Sequence, residues 1–214
     1  MFLYLYGQRL KLFLKEILMS VLDADYWNNR YLNGQAGWDL GEISTPLKAY
    51  INQLQKKDFA ILIPGAGNAH EAVYLLENGF KNVTVIDFAQ KALDNLRLKL
   101  TSFDSQHFHL IQDDFFNHHG EYDLMMEQTF FCAIDPFRRT DYVKHAHQLL
   151  AKDGKIVGLM FNKIFPFEGP PFGGSKEEYE QLFQAHFKIE LMEEAHNSVL
   201  PRQGSELFVK LIKK

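Results

Sequence analysis

A chain of 214 residues, 46% hydrophobic and 14% aromatic, fits one larger domain with a sizeable core. Its formal net charge is −4 and its Lys and Arg are scattered, which argues against a basic nucleic-acid-binding stripe. The single cysteine, Cys132, cannot close an internal disulfide, which argues against an oxidised secreted scaffold, and in its apolar run it reads as a buried, inert thiol.

In chain order, residues 1–19 are apolar with Arg9, Lys11 and Lys15 interspersed, and 5–22 reads as helix. The charged start, unbroken apolar middle and small-residue cleavage site of a signal peptide are absent, and no stretch has the length and apolarity of a bilayer span. Three readings of this segment stay open: a helix packed on the domain, a surface or membrane-contacting segment, or upstream sequence before a start at Met19. Residues 25–41, aromatic and punctuated by glycine, read as irregular or broken helix. Thr45-Pro46 opens a helix to about 55, proline suiting the first turn. Strands are expected at 59–64, 82–87, 107–112, 121–127 and 155–161, the last entered through an Asp153-Gly154 turn. Helices are expected at 68–77, stopping at Asn78-Gly79, at 89–100, and from Asp135-Pro136 to 150. A Gly- and Pro-rich loop spans 163–174, and Ser175-x-x-Glu178 is a capping box opening a helix to about 185. Two β-like runs, 186–193 and 205–212, end the chain. Strands alternating with helices imply a parallel sheet covered on both faces, and the direct connection through 194–204 implies a closing antiparallel hairpin. The expected fold is therefore α/β: a Rossmann-like, seven-stranded, mostly parallel sheet with a C-terminal antiparallel hairpin and helices on both faces.

The apolar run Phe59-Ala60-Ile61-Leu62-Ile63 ends in Pro64-Gly65-Ala66-Gly67-Asn68-Ala69-His70, and Val83-Thr84-Val85-Ile86 ends in Asp87, 22 positions after Gly65. Glycines there let backbone approach a ligand, and the carboxylate suits two adjacent sugar hydroxyls, so an adenosine-containing cofactor is expected. A dinucleotide fingerprint carries a third glycine where this chain has His70. S-adenosylmethionine, which has no pyrophosphate, fits better than a nicotinamide cofactor, and the closing hairpin favours the same choice. The nine histidines offer no metal site: His107/His109 and His145/His147 are two apart and diverge on a helix, and neither H-x-x-x-H nor a cysteine cluster occurs.

Further motifs coincide in order. Asp25-Tyr26-Trp27 through Tyr31, Gly37-Trp38-Asp39-Leu40-Gly41 and Pro46-Leu47 precede the glycine turn. Asp113-Asp114-Phe115-Phe116, Tyr122-Asp123-Leu124, Thr129-Phe130-Phe131-Cys132-Ala133-Ile134-Asp135-Pro136, Gly169-Pro170-Pro171-Phe172 and Pro201-Arg202-x-Gly204-x-Glu206 follow it. Over about 25–214 the chain resembles the thiopurine S-methyltransferase family, and within it the halide/thiol methyltransferase branch. The resemblance implies a single methyltransferase domain at 25–214 with an N-terminal lid at 25–57, leaving 1–24 as an extension. It implies S-adenosylmethionine as cofactor, with S-adenosylhomocysteine as product. Trp27, Tyr31 and Trp38 would lie over the cofactor; Gly65 and Gly67 would admit its amino-acid part. Asp87 would accept the ribose hydroxyls, Asp114 and Phe115 would hold the adenine, and Gln128 would face the cofactor. The chain departs from the family's common residues at Tyr31 (commonly Trp), Ala66 (usually Cys) and Gln128 (often Tyr or Arg).

Methyl transfer from a sulfonium is an in-line displacement, so the protein has mainly to align the acceptor and exclude water. Trp27, Trp38 and Phe115 are candidates to face the sulfonium charge. Phe130, Phe131 and Phe172 could line an apolar acceptor pocket or belong to the core. Arg138, Arg139 and Arg202 could attract an anionic acceptor, the first two reading equally as a solvated helix face. Glu127 and Asp135 could act as bases, although Pro136 makes Asp135 a natural helix cap. No catalytic residue is assigned. The expected activity is methylation of a small soft nucleophile: a thiol, hydrosulfide, halide or thiopurine-like aromatic thiol. The alternatives are methylation of an oxygen or nitrogen on a small metabolite and a non-catalytic cofactor-binding protein. A cytoplasmic monomer acting on a small molecule, without nucleic acid, membrane or metal, is expected.

Overall fold

Strands β1 (Ile61–Pro64) and β2 (Val83–Asp87) are buried at every position, which is why each reads as an unbroken apolar run and not as alternation. In the computed structural model, which describes residues 22–65 and 67–214, they form the middle of a seven-stranded sheet of order β3-β2-β1-β4-β5-β7-β6. The helix expected over 5–22 lies, but for Leu22, outside the described residues. Strands β3 (Phe108–Gln112), β4 (Tyr122–Gln128) and β5 (Leu150–Phe161) pair in parallel with their neighbours on the first five positions, while β6 (Phe187–Glu194) and β7 (Glu206–Lys213) close the sheet as an antiparallel hairpin against β5. The expected sheet is the observed one. After β3 the chain crosses to the other side of β1, so β1 and β4 diverge at their C-terminal ends and leave a crevice there.

Alternation along each strand builds two cores. Ile61, Ile63, Val83, Val85, Leu124 and Met126 face α2 (Thr45–Ile51), α3 (His70–Glu77) and α4 (Gln90–Lys99). Leu62, Ile86, Met125, Ile156 and Met160 face α6 (Arg139–Leu149) and α7 (Lys176–Phe183). Among the described residues no helix is long and apolar enough to cross a membrane.

Several boundaries differ from expectation for identifiable reasons. Residues 25–41 are not broken throughout: α1 (Ala24–Leu32) is a regular helix, capped by the Asp23 carboxylate accepting from Tyr26 N at 2.8 Å. The single helix expected from Pro136 to about 150 is a 3₁₀ turn (Pro136–Arg138) followed by α6, and a short helix α5 (Phe130–Ala133) precedes it. The turn at Asp153, with φ +61°, lies inside the span of β5, where pairing with β4 jumps from Tyr122↔Leu150 to Leu124↔Lys155. Ser175 caps α7 by accepting from Glu178 N at 3.2 Å, as its sequence motif implies.

Arg139 fits neither reading of the sequence. It is 3% exposed, pairs with Glu178 at 2.9 Å, and donates to the carbonyls of Gly173 (2.9 Å) and Phe172 (3.4 Å). It thus ties α6 and α7 to the 163–174 loop. Arg139→Met removes these donors while keeping the apolar stem, and is expected to lower unfolding stability by about 2 kcal/mol, less than a fully buried pair because Glu178 is half-exposed. The urea midpoint is the readout; an unchanged midpoint would mean the loop is held by its other contacts.

Candidate active site

At the end of β1 the backbone turns left-handed at Gly65 (φ +65°) and Gly67 (φ +51°). Glycine is demanded twice at position 65, since an added Cβ would lie 2.3 Å from Phe130 Cδ2. At Gly67 such a Cβ would instead face the Tyr31 hydroxyl (3.7 Å) and Trp38 Nε1 (3.9 Å), so this stretch of backbone looks out toward the aromatic residues of α1 and its loop. Asp87, 8% exposed at the end of β2, accepts from Ala89 N (2.7 Å) and Gly67 N (3.4 Å), which fixes it beside the turn.

Trp38 packs edge-on against Trp27 (5.4 Å) and Tyr31 (5.8 Å), with the Arg30 guanidinium 5.1 Å over its ring. Burial, reinforced by nearby Asp87, pushes the Tyr31 hydroxyl far up from its ordinary pKa, so it stays a neutral donor. Three ties hold this cluster down. Asn28 Oδ1 accepts from Lys91 N at 3.0 Å and so caps α4 from α1. Asp39 accepts from Gly41 N (3.0 Å) and Asn68 Nδ2 and meets His70 Nε2 at 2.8 Å. Burial alone would raise the Asp39 carboxyl, but these hydrogen bonds outweigh it and hold the carboxyl below its ordinary value. Arg202 Nη2 donates to the Trp38 carbonyl at 2.6 Å.

Arg202 is the hub of a buried network. It pairs with Glu206 at 2.8 Å, and Glu206 also accepts from Ser198 Oγ at 2.8 Å. With its amide oriented so that both ends find partners, Gln128 accepts from Arg202 Nη1 at 3.0 Å and donates to Glu71 Oε1 at 2.9 Å. Burial raises the Glu71 carboxyl pKa, which makes the acid form easier to keep in this network.

On the far side, Asp114 caps a 3₁₀ turn (Phe115–Asn117) through Phe116 N at 3.0 Å, and the buried Phe115 ring meets Phe130 edge-on at 5.2 Å. Arg138 lies 3.5 Å over the Phe116 ring and 4.0 Å from Asp114. Asp135 spends a carboxylate oxygen on Phe137 N at 2.9 Å, the capping role its neighbour Pro136 suggested.

One cavity at the C-terminal ends of β1, β2 and β4 gathers Trp27, Tyr31, Trp38, Gly65, Gly67 and Asp87 with Asp114, Phe115 and Gln128; Phe130 and Arg138 also line it. Phe172 and Arg202 do not line it. Phe172 hands its place to Pro170 and Pro171, its own amide being bound to the Cys132 carbonyl at 2.6 Å, and Arg202 is committed behind Gln128. Phe131 is fully buried in the core. Sequence reasoning missed Asp39, Asn68, His70 and Glu71, all on the cavity wall. Asp39 stood in the Gly37-Trp38-Asp39-Leu40-Gly41 motif, and His70 was read only as a missing glycine; an acid in a lid and a histidine opening the facing helix were the available signal.

Residues 22–212 match the profile of the thiopurine S-methyltransferase family. The chain is 28% identical to a probable thiol methyltransferase 2 of Arabidopsis thaliana, covering 88% of this chain and 85% of the relative. It is 27% identical to thiocyanate methyltransferase 1 of Brassica oleracea (89% and 86% covered) and 26% identical to a thiopurine S-methyltransferase of Acinetobacter baylyi (81% and 89% covered). Its fold is similar to that of 1,6-didemethyltoxoflavin-N1-methyltransferase of Burkholderia thailandensis, solved with S-adenosylhomocysteine, at a TM-score of 0.75 and 18% identity over 92% of this chain and 89% of that one.

Both tryptophans of the chain, Trp27 and Trp38, sit in the cluster that Asp39 ties down. Asp39→Ala is therefore expected to red-shift and quench tryptophan emission with little loss of thermal stability. An unchanged spectrum would show that Arg202 and Asn28 suffice to hold the cluster.

Proposed function

The chain belongs to the thiopurine S-methyltransferase family and is an S-adenosylmethionine-dependent methyltransferase, and from that premise we propose that its acceptor is a small soft nucleophile: a thiol, hydrosulfide or halide. The observation that carries this reading is the character of the acceptor end of the cavity. Phe130, Ala133, Ile134, Pro170 and Pro171 supply an apolar wall, and Arg138 is the one Lys or Arg side chain among the described residues lining it. Of the two acids flanking α5, Glu127 is 1% exposed and off the cavity wall, and Asp135, which does line the cavity, spends one carboxylate oxygen on Phe137 N as a cap. Soft anions gain nucleophilicity on losing water and need no proton removed, so an apolar wall with a cation at its edge suits them. The names of the Arabidopsis and Brassica relatives support the same class.

The residues fit the cofactor. Gly67 leaves open the space that a Cβ would fill beneath Tyr31 and Trp38, and Asp87 presents a carboxylate beside the turn. In this reading Gly65 and Gly67 admit the amino-acid part, Asp87 takes the ribose hydroxyls, and Asp114 with Phe115 holds the adenine. Residues 25–57 act as a lid, with Trp27, Tyr31 and Trp38 closing over the site. When bound, the cofactor supplies an electrophilic methyl group on a sulfonium. The aromatic faces of the lid favour that positive charge, Phe130 and Ile134 keep water out, and Gln128 marks the boundary between cofactor and acceptor.

Asp87→Ala is expected to weaken S-adenosylhomocysteine binding by about ten- to a hundredfold, the value of one or two hydrogen bonds to a charged group, as read by calorimetry. The acceptor class is read by S-adenosylhomocysteine release with iodide, hydrosulfide, an aromatic thiol, a thiopurine, a phenol and an amine, each supplied separately. Turnover of iodide or hydrosulfide, retained in Asp135→Asn, is the expected result. Turnover confined to oxygen or nitrogen acceptors, abolished in Asp135→Asn with cofactor binding intact, would replace the soft-nucleophile reading with general-base catalysis.

A further inference from the structure

Glu127 lies one residue before the cavity wall yet points away from it. Its neighbour Gln128 faces the cavity, so by strand alternation Glu127 faces the opposite side of the sheet, under α5 and α6. There its Oε2 accepts from Phe131 N at 3.1 Å. Phe131 N is an N-terminal amide of α5, a helix whose own N-cap residue, Thr129 at φ +64°, makes no capping bond. The next strand makes room for it there: a Cβ on Gly158 of β5 would come within 2.9 Å of its Cγ. Helix α5 presents Phe130 and Ala133 to the cavity, and the Phe130 ring lies on Gly65.

We propose that Glu127 is a positioning residue of the acceptor pocket, capping α5 through Phe131 N and thereby fixing the Phe130 ring between the glycine turn and the acceptor. This rests on the methyltransferase reading above. It also assigns the acid a role other than base. Burial pushes the Glu127 carboxyl up to about 7, and its Oε1 has no hydrogen-bond partner. The groups around it are Cys132 on α5, Tyr142 on α6 and Tyr179 on α7, all with pKa values raised by burial, so all stay neutral near pH 7. Arg139 and Glu206 reach Cys132 electrostatically, but Arg139 is committed to Glu178 and Glu206 to Arg202. Near neutrality the titrating group of this cluster is therefore Glu127.

The sign follows from the raised value. The neutral carboxyl is the form that the folded arrangement favours; its contribution is complete below the ordinary carboxyl range and is lost as pH rises through about 7. Above that, a buried charge with one unpartnered oxygen favours displacement of the α5 end or entry of water, and Phe130 leaves its place. A general base would behave oppositely, gaining activity with pH.

Two measurements test this. The first needs no substrate: the backbone amide of Phe131, followed by ¹⁵N–¹H NMR in the free protein, is expected to titrate with a midpoint near 7 and to stop titrating in Glu127→Gln. An amide that does not move between about pH 6 and 8, or that moves equally in the Gln variant, overturns the proposal. The second uses thiocyanate, which does not titrate in this range. Its KM is expected to rise with pH by up to about tenfold per unit above the midpoint, and the Gln variant to flatten that rise. In Glu127→Ala, which leaves the Phe131 amide unpaired, KM is expected to be raised at every pH. With a neutral aromatic thiol in place of thiocyanate, activity that climbs with pH and disappears in the Gln variant would make Glu127 a base. If no acceptor is turned over at any pH, the functional reading fails, while the amide titration still decides the role of Glu127.

Discussion

The arrangement hangs on the Arg202 guanidinium. It is 9% exposed at the side chain, pairs with a Glu206 carboxylate that is 3% exposed, and spends its remaining donors on the Trp38 carbonyl and Gln128. Four separate parts of the chain meet there: the loop after α1, the end of β4, the start of α3 through Glu71, and the C-terminal hairpin. Removing one partner from a buried pair of this kind costs about 3–5 kcal/mol because the other charge is left uncompensated. The pair is thus weak evidence for raw stability and strong evidence for geometry. It sets how far the backbone at Trp38 stands from the strand ends, and so the depth of the cavity between them. The antiparallel hairpin, peripheral to the parallel sheet, acquires a reason to be there: it delivers Arg202 and Glu206 to the edge of the site.

A second theme is capping supplied from a distance. Ala69, Ala89 and Thr129, which precede α3, α4 and α5, make no side-chain cap of their own. Asn28 of α1 caps α4 and Glu127 of β4 caps α5, while Asp39, in the loop after α1, binds the side chain of His70 at the first position of α3. Orphan N–H groups at helix starts have to find acceptors when buried. Meeting that need with residues of other elements makes the starts of α4 and α5 ties to α1 and to the sheet. Helix α7, which carries no cavity residue, is by contrast capped by its own Ser175.

This division explains what was legible in the sequence. The mostly parallel sheet could be read because it follows from the alternation of apolar runs with helical segments, and the hairpin because no helix fits in 194–204. The glycine turn and Asp87 could be read because local conformation demands them: a left-handed turn too tight for a Cβ, and an acid at a strand end. Resemblance to a family brought Trp27, Trp38, Asp114 and Phe115 to the same cavity. What could not be read were contacts between residues far apart in the chain. Arg139 looked like a solvated or anion-binding side chain and is a buried brace; Arg202 looked like an acceptor contact and is the brace of the lid. Helix α5 was missed because four residues of mixed propensity carry no period, and their helix is specified by Glu127 three strand-and-turn positions earlier.

Gln128 brings these themes together. As one of the three positions at which the chain departs from what its family resemblance implies, here Tyr or Arg, it raises the question of what replaces a ring or a charge at this point of the cavity. Its amide is held at both ends, by Arg202 and by Glu71, so it neither reaches toward an acceptor nor carries charge to it. A tyrosine could not accept from Arg202 and donate to Glu71 along the same axis with the same reach, and an arginine would face Arg202 with a like charge. With position 128 neutral and immobilised, electrostatic guidance at the acceptor end falls to Arg138, which is itself moderated by Asp114 at 4.0 Å and by the Phe116 face. On the reading proposed above, such a pocket attracts an anion weakly and strips it of water strongly, a balance better matched to soft, poorly hydrated nucleophiles than to carboxylates or phosphates.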